Sequence, residues 1–177
     1  MNLPLNIRPQ DLARLAVENY VQEHVTLAPL EHFTGVLAER AGAFVTLREK
    51  TGALRGCIGT IQPTCSNVAC EIIQNAISAA TRDPRFREVS SQELPDLVYG
   101  VDLLSEPEII NTMQDLDPSR FGLIVETPDG RRGLLLPDIA GIETPEQQWK
   151  AVHTKAGIAV GDQVRAERFT VRRFGKD

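Results

Sequence analysis

The stretch Ala43–Ile61 constrains the fold more than any other, because it has to double back on itself. Ala43–Arg48 (AFVTLR) carries β-rich residues, Lys50-Thr51-Gly52 supplies a turn, and Ala53–Ile61 (ALRGCIGTI) returns. The pattern predicts a β-hairpin. Directly after it, Val68, Ile72, Ile73, Ala76, Ile77 and Ala80 recur at helical spacing, so Ser66–Thr81 is expected as an amphipathic helix packed on a sheet. Asp83-Pro84 stops that helix, since the residue before a proline is pushed out of helical geometry.

The remaining chain adds elements of the same kinds. Leu12, Leu15, Ala16 and Tyr20 form one stripe of a helix over Pro9–Glu23, with Pro9 suited to its first turn. A loop with Pro29 and Gly35 leads to a short helix, Val36–Arg40, ended by Gly42. A helical turn starts at Ser90 or Ser91, with Glu93 placed to complete a capping box from Ser90. Leu97–Leu104 reads as a strand broken by Glu106-Pro107. Gly122–Glu126 and Gly133–Leu136 flank Pro128-Asp129-Gly130 as a second hairpin. Thr144, Pro145 and Gln147 open a last helix, Gly157 closes it, and Val164–Phe174 is the final strand. Strands joined by hairpins and interspersed with helices predict an α+β fold with antiparallel or mixed sheets. At 177 residues and with no linker signal, residues 1–177 read as a single domain with room for two lobes.

Composition narrows the function classes. With 42% hydrophobic and 24% charged residues the chain is globular, not disordered. No apolar run approaches the roughly 20 residues of a membrane span, so no membrane contact is expected. Met1–Pro9 lacks a signal peptide's basic start and apolar stretch, which points to the cytoplasm. A net charge of −5 leaves broad phosphate-backbone binding, and hence nucleic acid, unsupported. There is no Walker loop and no GxGxxG fingerprint, and no cofactor is expected.

The chemistry concentrates in two segments. Leu54-Arg55-Gly56-Cys57-Ile58-Gly59 places two glycines inside a strand, which marks a bulge or a close backbone approach. One reading packs another part of the chain against Gly56 and Gly59; the other lays a ligand or partner backbone there. Strand alternation puts Leu54 and Ile58 toward the core and Arg55 and Cys57 together on the opposite face. There a guanidinium would favour the thiolate, although most free cysteines are simply small buried hydrophobes. A bulge at Gly56 would void that pairing. In Arg82-Asp83-Pro84-Arg85-Phe86-Arg87, Asp83 can accept backbone N–H groups and the arginines can take a phosphate or carboxylate, unless the cluster is a solvated surface anchored by Phe86. Cys57, Cys65 and Cys70 do not reproduce the close pairs of zinc sites, so no metal is expected and packing accounts for Cys65 and Cys70. His24, His32 and His153 are scattered.

Leu54–Gly59 (LRGCIG) resembles the signature hexapeptide of the AMMECR family. FVTL (Phe44–Leu47), DPRF (Asp83–Phe86), GLLLP (Gly133–Pro137), KAG (Lys155–Gly157) and FTV (Phe169–Val171) match in the family's order from about residue 10 to the C-terminus. The length is similar to the compact prokaryotic form, whose system name implies association with a Memo-type protein and a radical-SAM protein. The resemblance implies a two-lobed α+β fold and no settled activity. Two departures stand out: Arg87 where relatives often have proline, and His153 where they often have cysteine. Three readings follow. The chain is an accessory protein presenting the LRGCIG surface to a partner; or an enzyme with Cys57 as nucleophile, Arg55 assisting and His153 as base; or a small-molecule or nucleotide-binding module using Arg55 and Arg85.

Overall fold

The computed structural model describes residues 6–28 and 33–175, so Pro29 and His32 lie outside the described residues. In chain order its helices and strands are α1 (Pro9–Glu23), β1 (Ala43–Glu49), β2 (Leu54–Gly59), α2 (Val68–Thr81), β3 (Leu97–Leu104), β4 (Glu108–Ile109), β5 (Gly122–Glu126), β6 (Arg132–Leu135), α3 (Pro145–Ala156), β7 (Arg165–Phe169) and β8 (Val171–Phe174). The strands form two four-stranded sheets, ordered β2-β1-β3-β8 and β4-β7-β5-β6, and the ladders are antiparallel. The fold is α+β. The chain divides into two compact units: one runs to Leu104 and resumes at Arg172, the other is Ser105–Val171.

In the first unit, alternation along β1 turns Ala43, Val45 and Leu47 into the core, all with no exposed surface. Their cross-strand partners on β3 are Leu103, Val101 and Tyr99, which extend the same buried face. Leu12, Ala13, Ala16 and Val17 of α1 and Val68, Ile72 and Ala76 of α2 close over it. In the second unit α3 packs on β5 and β6, with Val152 among Leu123, Val125 and Leu135. The Thr144 box forms as expected: Thr144 Oγ1 accepts the Gln147 N–H, and Gln147 Oε1 accepts the Thr144 N–H. Gly157 caps α3 in the left-handed region.

Three expectations are corrected and one short strand is added. The helix predicted from Ser66 starts at Val68, because Asn67 is its N-cap: the side-chain Oδ1 of Asn67 accepts the Cys70 N–H at 2.9 Å. The helix expected over Val36–Arg40 is one 3-10 turn, Gly35–Ala38. The two-residue strand β4 was not anticipated, being too short to show a period. The final strand, expected unbroken over Val164–Phe174, is split at Thr170. Its N–H donates to Ser105 Oγ at 3.0 Å and its carbonyl accepts the Ser105 N–H at 2.9 Å, so Thr170 leaves the ladder and β7 and β8 enter different sheets.

α2 lies directly on β2. A Cβ built on Gly56 would sit 2.2 Å from the Ala79 carbonyl oxygen, a helix backbone atom that cannot swing aside. Gly56→Val should therefore destabilise the protein by about 3 kcal/mol, roughly 6–12 °C in melting temperature. Gly161→Ala, where a Cβ meets nothing within 4 Å, is the matched control. Equal melting temperatures for the two variants would show that the contact does not exist in solution.

Candidate functional site

The site grows out of β2, an edge strand. The β1–β2 register runs Thr46↔Cys57 and Leu47↔Gly56 and then jumps to Arg48↔Leu54, so Arg55 is the extra residue of a bulge. The bulge corrects the expected alternation. Leu54 pairs with Arg48 and is half-buried, outside the core cluster, whereas Ile58 packs against that cluster. Both strand glycines are filled from within the chain: the α2 backbone meets Gly56, and the Phe44 ring, from the residue paired with Gly59, covers Gly59. Cys57 is half-buried, with its Sγ 3.3 Å from the hydroxyl of Thr46.

An edge strand leaves backbone N–H groups without a ladder partner. The Cys57 N–H solves this by donating to Asp83 Oδ2 at 2.8 Å. Asp83 stands just past the end of α2 with a side chain only 2% exposed. Its Oδ1 also accepts the Arg85 backbone N–H (3.1 Å) and Nε (2.9 Å), and its Oδ2 accepts Arg85 Nη2 (2.7 Å). The fork-like bond from Arg85, together with the backbone donors, outweighs burial and holds the Asp83 carboxyl well below the usual carboxylate range. Arg85 is raised in turn by its bonds to Asp83.

Arg55 is engaged elsewhere. The bulge turns its side chain toward the segment after the Asp83 turn, where Nε donates to Glu93 Oε1 at 2.6 Å. Its two terminal nitrogens donate to the carbonyls of Arg87 (3.0 Å) and Glu88 (3.3 Å). Glu93 accepts the Ser90 N–H and hydroxyl with its other oxygen, completing the expected Ser90–Glu93 link. The bond from Arg55, ahead of the opposing effect of burial, lowers the Glu93 carboxyl to about 2. Phe86 lies under both cations, with the Arg55 and Arg85 guanidinium carbons 5.9 and 5.5 Å from its ring centroid.

The structure thus brings together Cys57, Arg55, Asp83, Arg85 and Phe86, with Gly56 and Gly59 packed beneath the chain's own atoms. Thr46 and Glu93 complete the arrangement. Nothing in the sequence singles out Thr46, and Glu93 is marked there only as the capping partner of Ser90. His153 belongs to the second unit and has no exposed surface. Its Nδ1 lies 2.8 Å from the Trp149 carbonyl, which can only accept, so that nitrogen carries the proton. The second unit also holds a cavity of about 620 Å³ lined by Ile110, Met113, Trp149, Val160 and Val164.

Residues 10–176 match the AMMECR1 family model. The chain belongs to the AMMECR1 family. It is 51% identical over 160 residues to a protein of Thermotoga maritima, covering 89% of this chain and 91% of that one. A protein of Clostridium acetobutylicum is 42% identical across 90% of this chain, but the match spans only 35% of that longer protein. Among solved structures, the uncharacterized protein PH0010 from Pyrococcus horikoshii superposes with a TM-score of 0.84 at 31% identity, over 93% of this chain and 88% of that one. Among the described residues no helix is long and apolar enough to cross a membrane.

Lowered carboxyls predict acid sensitivity with a definite sign. A carboxyl whose folded pKa is depressed contributes stability above its unfolded value and loses it as pH falls toward the folded one. For Glu93 that window runs from 4.5 down to about 2. Asp83 extends it below 3.8. Denaturant midpoints should fall steadily across this range, and Glu93→Gln should flatten the upper part of the fall. An identical slope in the variant would mean that the Arg55 bond to Glu93 contributes nothing.

Proposed function

We propose that this AMMECR1-family chain is an accessory protein that binds partner proteins through the Asp83–Phe86 turn and the β2 edge beside it. Its partners in this reading are Memo-type and radical-SAM proteins of a three-component bacterial or archaeal system. One observation carries the reading: the polar groups of the turn are spent internally. The Asp83 carboxylate accepts from Cys57 and Arg85, and Arg55 donates to three acceptors with only 11% of its side chain exposed. Groups so engaged hold a shape in advance and are not waiting for a substrate. Around that shape Arg82, Arg85 and Arg87 remain exposed beside half-buried Phe86. Arginine around an aromatic anchor is a common protein-binding composition, and rigidity lowers the ordering cost of association. On a chain of net charge −5 this local basic cluster suits an acidic partner surface.

The test is reciprocal co-purification with the Memo-type and radical-SAM proteins of the same organism. Arg82→Glu combined with Arg87→Glu should weaken capture at least tenfold with an unchanged melting temperature. Failure of the unaltered chain to bind either partner would overturn the proposal.

A second reading rests on the half-buried Cys57 thiol beside the Thr46 hydroxyl, which suits a nucleophile acting on a small molecule or modified nucleotide. Iodoacetamide labelling separates the two. For an accessory protein, Cys57 should react no faster than a model thiol across a pH series, with Cys57→Ser as the blank. Markedly faster labelling at neutral pH would favour the enzyme.

A further inference from the structure

We propose that Cys65 and Cys70 form a reversible redox site, closed to an intramolecular disulfide by low-molecular-weight disulfides and reopened by thiols. This goes beyond the partner-binding reading and does not depend on it. The two sulfurs lie 2.7 Å apart, with the thiols free. A disulfide needs about 2.05 Å, so closure requires only a short movement of side chains already aimed at each other.

Both residues are held by bonds that do not involve sulfur. The Cys70 N–H donates to Asn67 Oδ1 at 2.9 Å in the first turn of α2. The Cys65 N–H donates to Glu71 Oε2 at 2.8 Å. Glu71 is itself almost fully buried and also accepts from the hydroxyls of Thr60 and Thr64 and from the Thr64 N–H. This buried carboxylate fixes the whole connection from the end of β2 to the start of α2, with the two cysteines on either side of the join. Among the described residues no cluster of three or more metal-binding side chains includes the pair.

Access differs between the two. Cys70 is half-buried and reachable, whereas Cys65 is buried. Burial first, then the neighbouring Cys70 sulfur and the Glu71 carboxylate, push the Cys65 thiol up, so Cys65 rests protonated and acts second. In the first step Cys70 loses its proton and its sulfur attacks the small disulfide, forming a mixed disulfide and expelling one small thiolate. Cys65 then loses its proton and attacks the Cys70 sulfur, forming the internal bond and expelling the second thiolate. The two protein thiols are oxidised, the small disulfide is reduced, and the two protons end on the two small thiols. In a reducing compartment such a bond is transient, which suits a sensor more than a staple.

The experiment equilibrates the reduced full-length chain with graded ratios of oxidised to reduced glutathione, alkylates the remaining thiols and reads the intact mass. The expected product has lost about 2 Da relative to the reduced chain before alkylation and keeps one alkylatable thiol, Cys57; dithiothreitol reverses it. Cys57→Ser should give the same internal bond. Cys65→Ser should instead accumulate a stable glutathione adduct at Cys70. Three alkylatable thiols at every ratio would overturn the proposal. So would glutathione adducts on the unaltered chain without the internal bond, or a bond that includes Cys57. The unaltered chain decides the matter even if a variant fails to fold.

Discussion

The Asp83 carboxylate joins three parts of the first unit that would otherwise be independent. It caps an edge-strand N–H at Cys57, organises the backbone after α2, and holds the Arg85 guanidinium in place. A carboxylate this deeply buried is costly unless its lone pairs are filled, and here four donors fill them. The surrounding residues depend on that satisfaction. Phe86 is positioned by the turn that Asp83 creates, and both cations against its face reach it from that turn or from the bulge beside Cys57. Arg55 fastens the next segment to the same strand through Glu93.

Local order was legible in the sequence, and long-range order was not. The β1–β2 hairpin, the amphipathic α2, the Thr144 capping box and the Gly157 cap all follow from residues within a few positions of one another. The site depends on partners far apart in the chain: Cys57 and Asp83 are separated by 26 residues, Arg55 and Glu93 by 38. The sequence marked Asp83 as an acceptor for nearby backbone, which the Arg85 N–H bears out, but nothing local showed that a strand edge would share it. The bulge at Arg55 is equally hidden. It depends on which β1 residue Leu54 faces, and that is settled by the whole ladder.

The two units solve the same packing problem in the same way. In each, a helix backbone approaches a strand at a glycine: Ala79 over Gly56, and Val152 over Gly133. In each, a ring from the paired residue of the neighbouring strand covers another strand glycine: Phe44 over Gly59, and Phe169 over Gly122. An aromatic laid over a glycine restores the cross-strand contact that the missing side chain forfeits. The glycines of the LRGCIG segment therefore belong to a general way of building these sheets, and Cys57 sits between them as the polar exception.

The Ser105–Thr170 pairing bears on how the gene could have been assembled. The peptide between these two residues leaves the first unit after Leu104 and rejoins it at Arg172, and its two ends are stitched to each other by their own backbone. β3 and β8, which flank this excursion, are neighbours in one sheet. Excising Ser105–Thr170 would bring the flanking strands together as consecutive segments, able to be joined by a short turn. The second unit thus has the connectivity of a cassette carried within a hairpin, gained or exchanged without re-routing the sheet that holds Cys57.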